Sequence, residues 1–253
     1  MLVDDLGEPV TLPGSPRRVV SLVPSLTDAI EASEPGLVAG ATDYCTHPPE
    51  LTAPRVGGSK YPNVDAVLEL RPDLVVANAE ENRPEDVARI RADGIPVWVT
   101  VAAPTVPEGL GSVRRLLTQG LGLEEPPWLV DAEDLWRTAV PVWATAVVPV
   151  WRRPWVVVGR DTFAGDVLHR LGVANAYADD EDRYPRPKDP NVPGADLVVL
   201  PDEPYEFTAD DGPESFPGLP YALVNGRFLT WCGPSLVEAH TSLTAALRAG
   251  TRR

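Results

Sequence analysis

Short apolar runs alternate with segments of helical spacing along nearly the whole chain, and this alternation is the strongest constraint on its fold. Arg18-Val19-Val20-Ser21-Leu22-Val23 is apolar, β-branched at its start, and stops at Pro24. It predicts a buried strand. Ser25 then caps a helix through about Ala32, with Asp28 closing a near capping box. Further strands are expected at Leu37-Val38-Ala39, at Leu74 to Ala77, and from Ile95 to Val101. Helices are expected from Val64 to Leu70, stopped by Pro72, and from Glu85 to Ala92, ended by Gly94. The pattern resumes with strands at Trp155 to Val158, Leu197 to Leu200 and Phe228-Leu229, and helices from Ala164 to Leu171 and Leu236 to Arg248. Leu2 to Leu12 reads as a hairpin turning at Gly7. Strands that alternate with helices form parallel sheets with helices on their faces.

A length of 253 residues allows one to two domains at roughly 150 residues each. One local repeat is visible. Asp73-Leu74-Val75-Val76 leads to Gly94-Ile95-Pro96-Val97, and Asp196-Leu197-Val198-Val199 leads to Gly218-Leu219-Pro220-Tyr221 at nearly the same spacing. Two readings fit: any two βαβ units look alike, or the chain holds two related α/β lobes. Between them, Pro126-Pro127 opens a stretch in which Leu129, Leu135, Trp136, Val140 and Trp143 recur near helical spacing. A helix over 127–146 would be roughly 30 Å long, with a kink at Pro141. The expected division is an N-terminal α/β lobe over 1–123, a connecting helix within 124–150 and a C-terminal α/β lobe over 151–253.

Hydrophobic residues make up 43% of the chain and charged residues 23%, a globular composition. The formal net charge of −15 makes nucleic acid and anionic membrane surfaces poor partners. No apolar run approaches the ~18 residues of a membrane span, and two cysteines make no disulfide framework. Met1 to Pro16 carries Asp4, Asp5 and Glu8, with no basic start, apolar core or cysteine to lipidate. On those residues the chain is expected to be cytoplasmic as written.

Several separated motifs resemble the substrate-binding proteins of ABC importers that have a helical backbone between lobes. Arg18 to Thr27 is similar to that family's first strand and helix start. Val56-Gly-Gly-Ser-Lys-Tyr-Pro-Asn-Val-Asp65 followed by Leu70 to Val76 resembles its most recognisable segment. Thr162-Phe163 with Leu168 to Asn175, and Phe228 to Pro234, resemble the start of its second lobe and the run into its last helix. Tyr44 to Pro48, Gly57 to Lys60, Glu80 to Arg83 and Glu203-Pro204-Tyr205 look like its "helical backbone metal receptor" branch. The resemblance implies an α/β fold of two Rossmann-like lobes joined by one long backbone helix, with a ligand cleft between the lobes. It implies a non-enzymatic binding protein, expected to be a monomer, for a metal chelate: a corrinoid such as cobalamin, haem, or a ferric siderophore. The family usually works in the periplasm or anchored outside the membrane and delivers its ligand to an ABC permease.

In such a binder the ligand sits at the carboxyl ends of the strands. Tyr44, Cys45 and His47 follow the strand at Val38; Glu80, Glu81, Asn82 and Arg83 follow the strand ending at Ala77; Glu203 and Tyr205 follow the strand ending at Leu200; Trp231 follows Phe228-Leu229. Lys60 in its Gly-Gly-Ser-Lys loop and Tyr184, in an aromatic–proline pair similar to one in vitamin B12 binders, complete the ligand set. Aromatic faces suit the flank of a macrocycle and polar groups its amides or carboxylates. Cys45-x-His47 is a candidate metal-contacting pair, although its spacing is not that of a closed site, and a wall or packing role is the alternative. The Glu80 to Arg83 charges read equally as a solvated helix start. The resemblance makes Asp65 a docking acid for permease arginines and leaves Asp189 as its counterpart, although Lys188 to Pro193 stands where the family usually has a helix. Cys232 and Ser235 stand where the branch prefers Tyr and Arg. No serine-hydrolase elbow, dinucleotide-binding glycine pattern or zincin motif is present. The alternatives are a cytosolic metal or corrinoid chaperone or sensor, or an enzyme on the same scaffold.

Overall fold

The computed structural model describes residues 2–12 and 14–251. Met1 and Pro13, within the N-terminal stretch read for a leader, and Arg252-Arg253, at the end of the expected C-terminal lobe, lie outside the described residues. The chain forms two compact α/β units. The first holds the chain up to Ala102 together with Gly109–Val130 and Cys232–Pro234; the second holds Ala103–Glu108, Asp131–Trp231 and the stretch from Ser235 on.

In the first unit, β1 (Leu2–Val3) and β2 (Pro9–Val10) pair as an antiparallel hairpin. There follow β3 (Val19–Ser21), α1 (Pro24–Ser33), β4 (Val38–Ala41), α2 (Val64–Glu69), β5 (Leu74–Asn78), α3 (Pro84–Ala92) and β6 (Val97–Thr100). The four larger strands form a parallel sheet in the order β4-β3-β5-β6. Both faces are covered, as a parallel sheet requires. Val19, Leu74, Val76 and Trp98 point into a core with Leu26, Ile30, Leu116 and Leu117. Val20, Val75, Ala77, Val97 and Val99 point the other way, onto Val67 and Ile90. The alternation within each run is the period of two of a pleated strand.

The β1–β2 hairpin is held by buried acids. The Asp4 carboxylate, fully buried, accepts from the backbone N–H of Leu6 and Glu8 (both 2.9 Å) and pairs with Arg91 at 2.8 Å. Asp5 accepts from Ser112 and pairs with Arg115, whose guanidinium lies 5.6 Å from the centre of the Trp98 ring. A charge removed from water persists only when it is paired and hydrogen-bonded in this way.

The chain passes between the units through α4 (Val106–Arg115), extended by a π-helical turn at Leu116–Gly120, and again through α5 (Pro127–Trp136). The helix expected over 127–146 therefore stops ten residues short, at Trp136. The Arg170 guanidinium caps its end by donating to the Trp136 carbonyl (2.6 Å) and to that of Arg137 (3.3 Å). The β-branched, proline-containing stretch that follows runs extended, with the Val140 and Trp143 amides donating to Arg170 and Gly172. Two other local expectations change. Proline takes the first position of α1, as its fixed φ favours, so Val23 rather than Ser25 is the cap residue. Phe228-Leu229 is not a strand but lies in a short helix.

The second unit contains β7 (Ala144–Val147), an antiparallel hairpin of β8 (Pro149–Trp151) and β9 (Val156–Val157), α6 (Phe163–Arg170), β10 (Val173–Asn175), β11 (Leu197–Pro201), β12 (Tyr221–Val224), α7 (Gly226–Thr230) and α8 (Ser235–Gly250). Its parallel sheet has the order β10-β7-β11-β12, equivalent strand for strand to that of the first unit. The local repeat extends to the hydrogen bonds. Asp73 accepts from the amides of Arg17 and Arg18 where β3 begins, and Asp196 accepts from that of Thr145 in β7. The Val75 amide donates to Pro96 and the Val198 amide to Pro220. Gly94 and Gly218 have φ of +82° and +83°. The two lobes are related α/β units. Where the first unit has helices α2 and α3, the second has irregular segments and a 3-10 turn at Pro213–Ser215. Among the described residues no helix is long and apolar enough to cross a membrane.

Two glycines separate backbone strain from packing. Gly94 and Gly172 both have positive φ, but a Cβ at 94 meets nothing within 4 Å, whereas at 172 it lies 2.6 Å from the Pro141 carbonyl and from the Trp143 ring. Gly94→Ala is expected to cost about 1 kcal/mol and Gly172→Ala about 2 kcal/mol more, through overpacking. Urea unfolding midpoints of the two variants measure the difference.

Candidate functional site

Strands that all run one way deliver every following loop to the same edge of the sheet, and in the first unit hydrogen bonds tie those loops together. The Asn82 side chain, buried to 3% exposure, donates to the carbonyls of Ser59 (2.9 Å) and Leu22 (3.3 Å) and accepts from the Asn78 amide (2.8 Å). Asn78 in turn donates to Thr100 and Val101 and accepts from the Glu80 amide. Thr42 meets Ser59 at 3.3 Å, and the Tyr44 ring lies over Gly58, where even a Cβ would touch it.

On this scaffold the expected residues divide. Tyr44 (65% exposed), Lys60, Glu80, Glu81 and Arg83 come together on the loops at the carboxyl edge. Tyr61, not singled out in the sequence, joins them at 69% exposure with the Arg83 guanidinium 4.8 Å from its ring centre. Its only sequence signal was its place beside Lys60. Arg83 is held by a bidentate pair with Asp86 at 2.8 and 2.9 Å. Asn82 spends its amide on the backbone. Burial, and secondarily the charge of Glu80, raises the Glu81 pKa to about 7.

Cys45 and His47 have different surroundings. The Cys45 thiol is buried in the core, accepts from Thr27 at 3.0 Å and meets Thr42 at 3.2 Å, and burial raises its pKa. His47 is half-buried, with Nδ1 3.1 Å from the Thr46 hydroxyl. Among the described residues no group of three or more His, Cys, Asp or Glu side chains is arranged to hold a metal.

The second unit builds its own cluster after β11. Asp202 accepts from the Gly226 amide at 2.7 Å, and position 226 admits only glycine because a Cβ would overlap the side chain and backbone of Glu203. Burial raises the Glu203 pKa and the adjacent Asp202 adds to this; hydrogen bonds from Trp231 and Thr230 and the charge of Arg227 act in the opposite sense. Arg227 sits one helical turn before Trp231, with its guanidinium 5.5 Å from that ring's centre. This spacing was the signal for Arg227, which sequence reasoning missed. Tyr205 instead turns into an aromatic group with Phe207 (4.7 Å) and Trp151 (5.8 Å), and its hydroxyl donates to Asp211. Tyr184 is exposed on a segment pinned to β9 by the Val157 and Gly159 amides, which donate to Pro185 and Arg183.

Asp65 is exposed in the first turn of α2 and paired with Arg89. Asp189 is exposed and its pKa is lowered by hydrogen bonds from the backbone and side chain of Asn191.

No family model matches the chain. It is 27% identical over 191 residues to an uncharacterized ABC transporter substrate-binding lipoprotein, YvrC, of Bacillus subtilis, covering 70% of this chain and 61% of the relative. It is 24% identical over 180 residues to the vitamin B12-binding protein of Vibrio cholerae, covering 67% of this chain and 64% of the relative. The chain thus spans less than two thirds of the length of these relatives. Among solved structures, the periplasmic heme-binding protein RhuT of Roseiflexus sp. RS-1 superposes with a TM-score of 0.74 at 24% identity, over 94% of this chain and 100% of that one. The chain has the class III, helical-backbone periplasmic-binding-protein-like fold. The cytoplasmic placement expected from the N-terminal residues is overturned, since these relatives include a lipoprotein and a periplasmic protein.

The Glu81 pKa predicts a pH signature. A carboxyl whose pKa is about 7 in the folded chain and ~4.3 in the unfolded chain binds its proton more tightly when folded. Its neutral form favours folding at low pH, and stability is lost as pH rises from ~4.3 to ~7. Glu81→Gln removes this loss. Its stability relative to the parent is expected to improve by roughly 1–2 kcal/mol between pH 5 and pH 8, read from urea midpoints at the two pH values.

Proposed function

We propose that this chain is a non-enzymatic binding protein for a metal chelate, with haem, a corrinoid such as cobalamin, or a ferric siderophore as its ligand class. The observation that carries the reading is the pair of tyrosines, Tyr44 and Tyr61, left 65% and 69% exposed among Lys60, Glu80, Glu81 and Arg83 at the carboxyl edge of a sheet. Aromatic faces displayed beside charged groups fit a large planar ligand with polar substituents. Within the second unit, Glu203, Trp231 and Arg227 follow the carboxyl ends of its own strands, and with Tyr184 as a further aromatic they are candidates of the same kind. The names of the relatives, a vitamin B12-binding protein and a heme-binding protein, favour the same ligand class.

For the metal of a chelate, half-buried His47 is the candidate donor on its loop, while the Cys45 thiol lies in the core. Delivery to an ABC permease is part of the proposal, with the exposed carboxylates of Asp65 and Asp189 as its docking acids; the substrate-binding lipoprotein relative supports such a partner.

Titration of the purified chain with haemin, cyanocobalamin and a ferric siderophore, followed by tryptophan emission and thermal melting, tests the ligand class. At least one is expected to quench to saturation, with Trp231→Phe reducing the amplitude, and to stabilise by about 2.7 kcal/mol at one hundred times its dissociation constant. No saturable response to any of the three refutes the proposal.

A further inference from the structure

A cavity of about 360 Å³ opens in the second unit where the β8–β9 hairpin tip meets the segment Arg186 to Lys188 and the 3-10 turn at Ser215. Arg152, Arg153, Arg186 and Lys188 line it with Trp155 and Ser215. In a chain of net charge −15 with 22 lysines and arginines in all, four cationic side chains around one cavity run against the composition. Lys188 is one of only two lysines.

The four do not share one role. Arg152 is a fixed wall. It pairs with Asp211 and Glu214, donates to the Ser215 hydroxyl at 3.0 Å, and lies 5.4 Å from the centre of the Trp155 ring. Arg153, Arg186 and Lys188 are exposed, and no carboxylate pairs with any of them among the described residues. Asp189, next in sequence to Lys188, is occupied by Asn191. Arg153 has φ +71°, a left-handed conformation that glycine adopts more readily, so the backbone gives no reason for arginine there. Three unpaired cations over an aromatic floor repel one another unless an anion is present.

We propose that this cavity binds a small anion carrying two or more phosphate or carboxylate groups. The guanidinium forks of Arg153 and Arg186 match the oxygens of either group bidentately, Lys188 adds a point charge, and Trp155 supplies an apolar base. Arg186 and Lys188 lie in the β10–β11 connection and Ser215 in the β11–β12 connection, where the first unit has α2 and α3, whereas Arg152, Arg153 and Trp155 belong to the β8–β9 hairpin between β7 and α6. Of the chelate-binding residues proposed above, Tyr184 shares the β10–β11 connection with Arg186 and Lys188, and the others lie on other loops.

Calorimetric titration of the full chain at low ionic strength with inorganic pyrophosphate and with citrate tests the proposal and separates phosphate from carboxylate recognition. Saturable binding near one anion per chain is expected for at least one probe. The double variant Arg186→Glu/Lys188→Glu changes exposed side chains only and is expected to weaken that binding by at least about tenfold. Arg137→Glu, an equal change of sign per residue at an exposed position just after α5, should leave it within about twofold. Absence of saturable binding to both probes, an unchanged affinity in the double variant, or an equal loss in Arg137→Glu overturns the proposal. The readout is anion binding alone, so failure of the chelate titration leaves it standing, and its failure leaves the chelate reading standing.

Discussion

Parallel pairing is the constraint on which the rest of this structure depends. Parallel neighbours need a crossover after every strand, and those crossovers bury both faces of the sheet. The strands therefore read as continuous Val- and Leu-rich runs, and every loop that leaves a strand's carboxyl end is delivered to one edge. The two sheets share one strand order, β4-β3-β5-β6 and β10-β7-β11-β12. Each is anchored by an aspartate at the foot of its third strand in sequence, Asp73 or Asp196, which accepts amide protons from the strand beside it. These carboxylates set the start of the neighbouring strand, and with it the edge at which Tyr44, Glu81 and Glu203 emerge.

Much of this was legible in the residues. The runs at Val19, Leu74, Val97, Val156 and Leu197 are strands, and the two Asp-to-Gly segments are equivalent in pairing as well as in letters. What was not legible depended on partners distant in sequence. Nothing local to Trp136 says that Arg170 will cap its helix, so hydrophobic spacing alone ran the helix on to 146. Phe228-Leu229 has the composition of a strand, but Asn225 caps a helix there by accepting from the Phe228 amide. Cys45 and Asn82 sit among candidate site residues in sequence and in the structure serve the scaffold, one filling a core and the other fastening three loops.

Charge is handled differently at different depths. Asp4 and Asp5 are buried and answered by Arg91 and Arg115, so their cost is offset by pairing. Glu81 and Glu203 are sheltered without an adequate counter-charge, and desolvation dominates both. With its pKa raised to about 7, the Glu81 carboxyl can donate a hydrogen bond as well as accept one, which widens the range of ligand groups it can meet.

The asymmetry between the two units follows from the same topology. Both keep the first crossover helix, α1 or α6, which covers one face of the sheet. The first unit then uses α2 and α3 for its later crossovers, and their surfaces are ordinary helix faces. The second unit makes the corresponding connections with irregular chain and a 3-10 turn, and these pack through aromatic rings, Trp155 lying near Phe207 and Phe216. Irregular segments present side chains at angles a helix cannot, which is how Arg186, Lys188 and Ser215 come to surround one cavity with Arg152 from the β8–β9 hairpin. The scaffold conserves strand order while freeing the connections, and new chemistry in this fold is therefore to be sought first where a crossover helix has been lost.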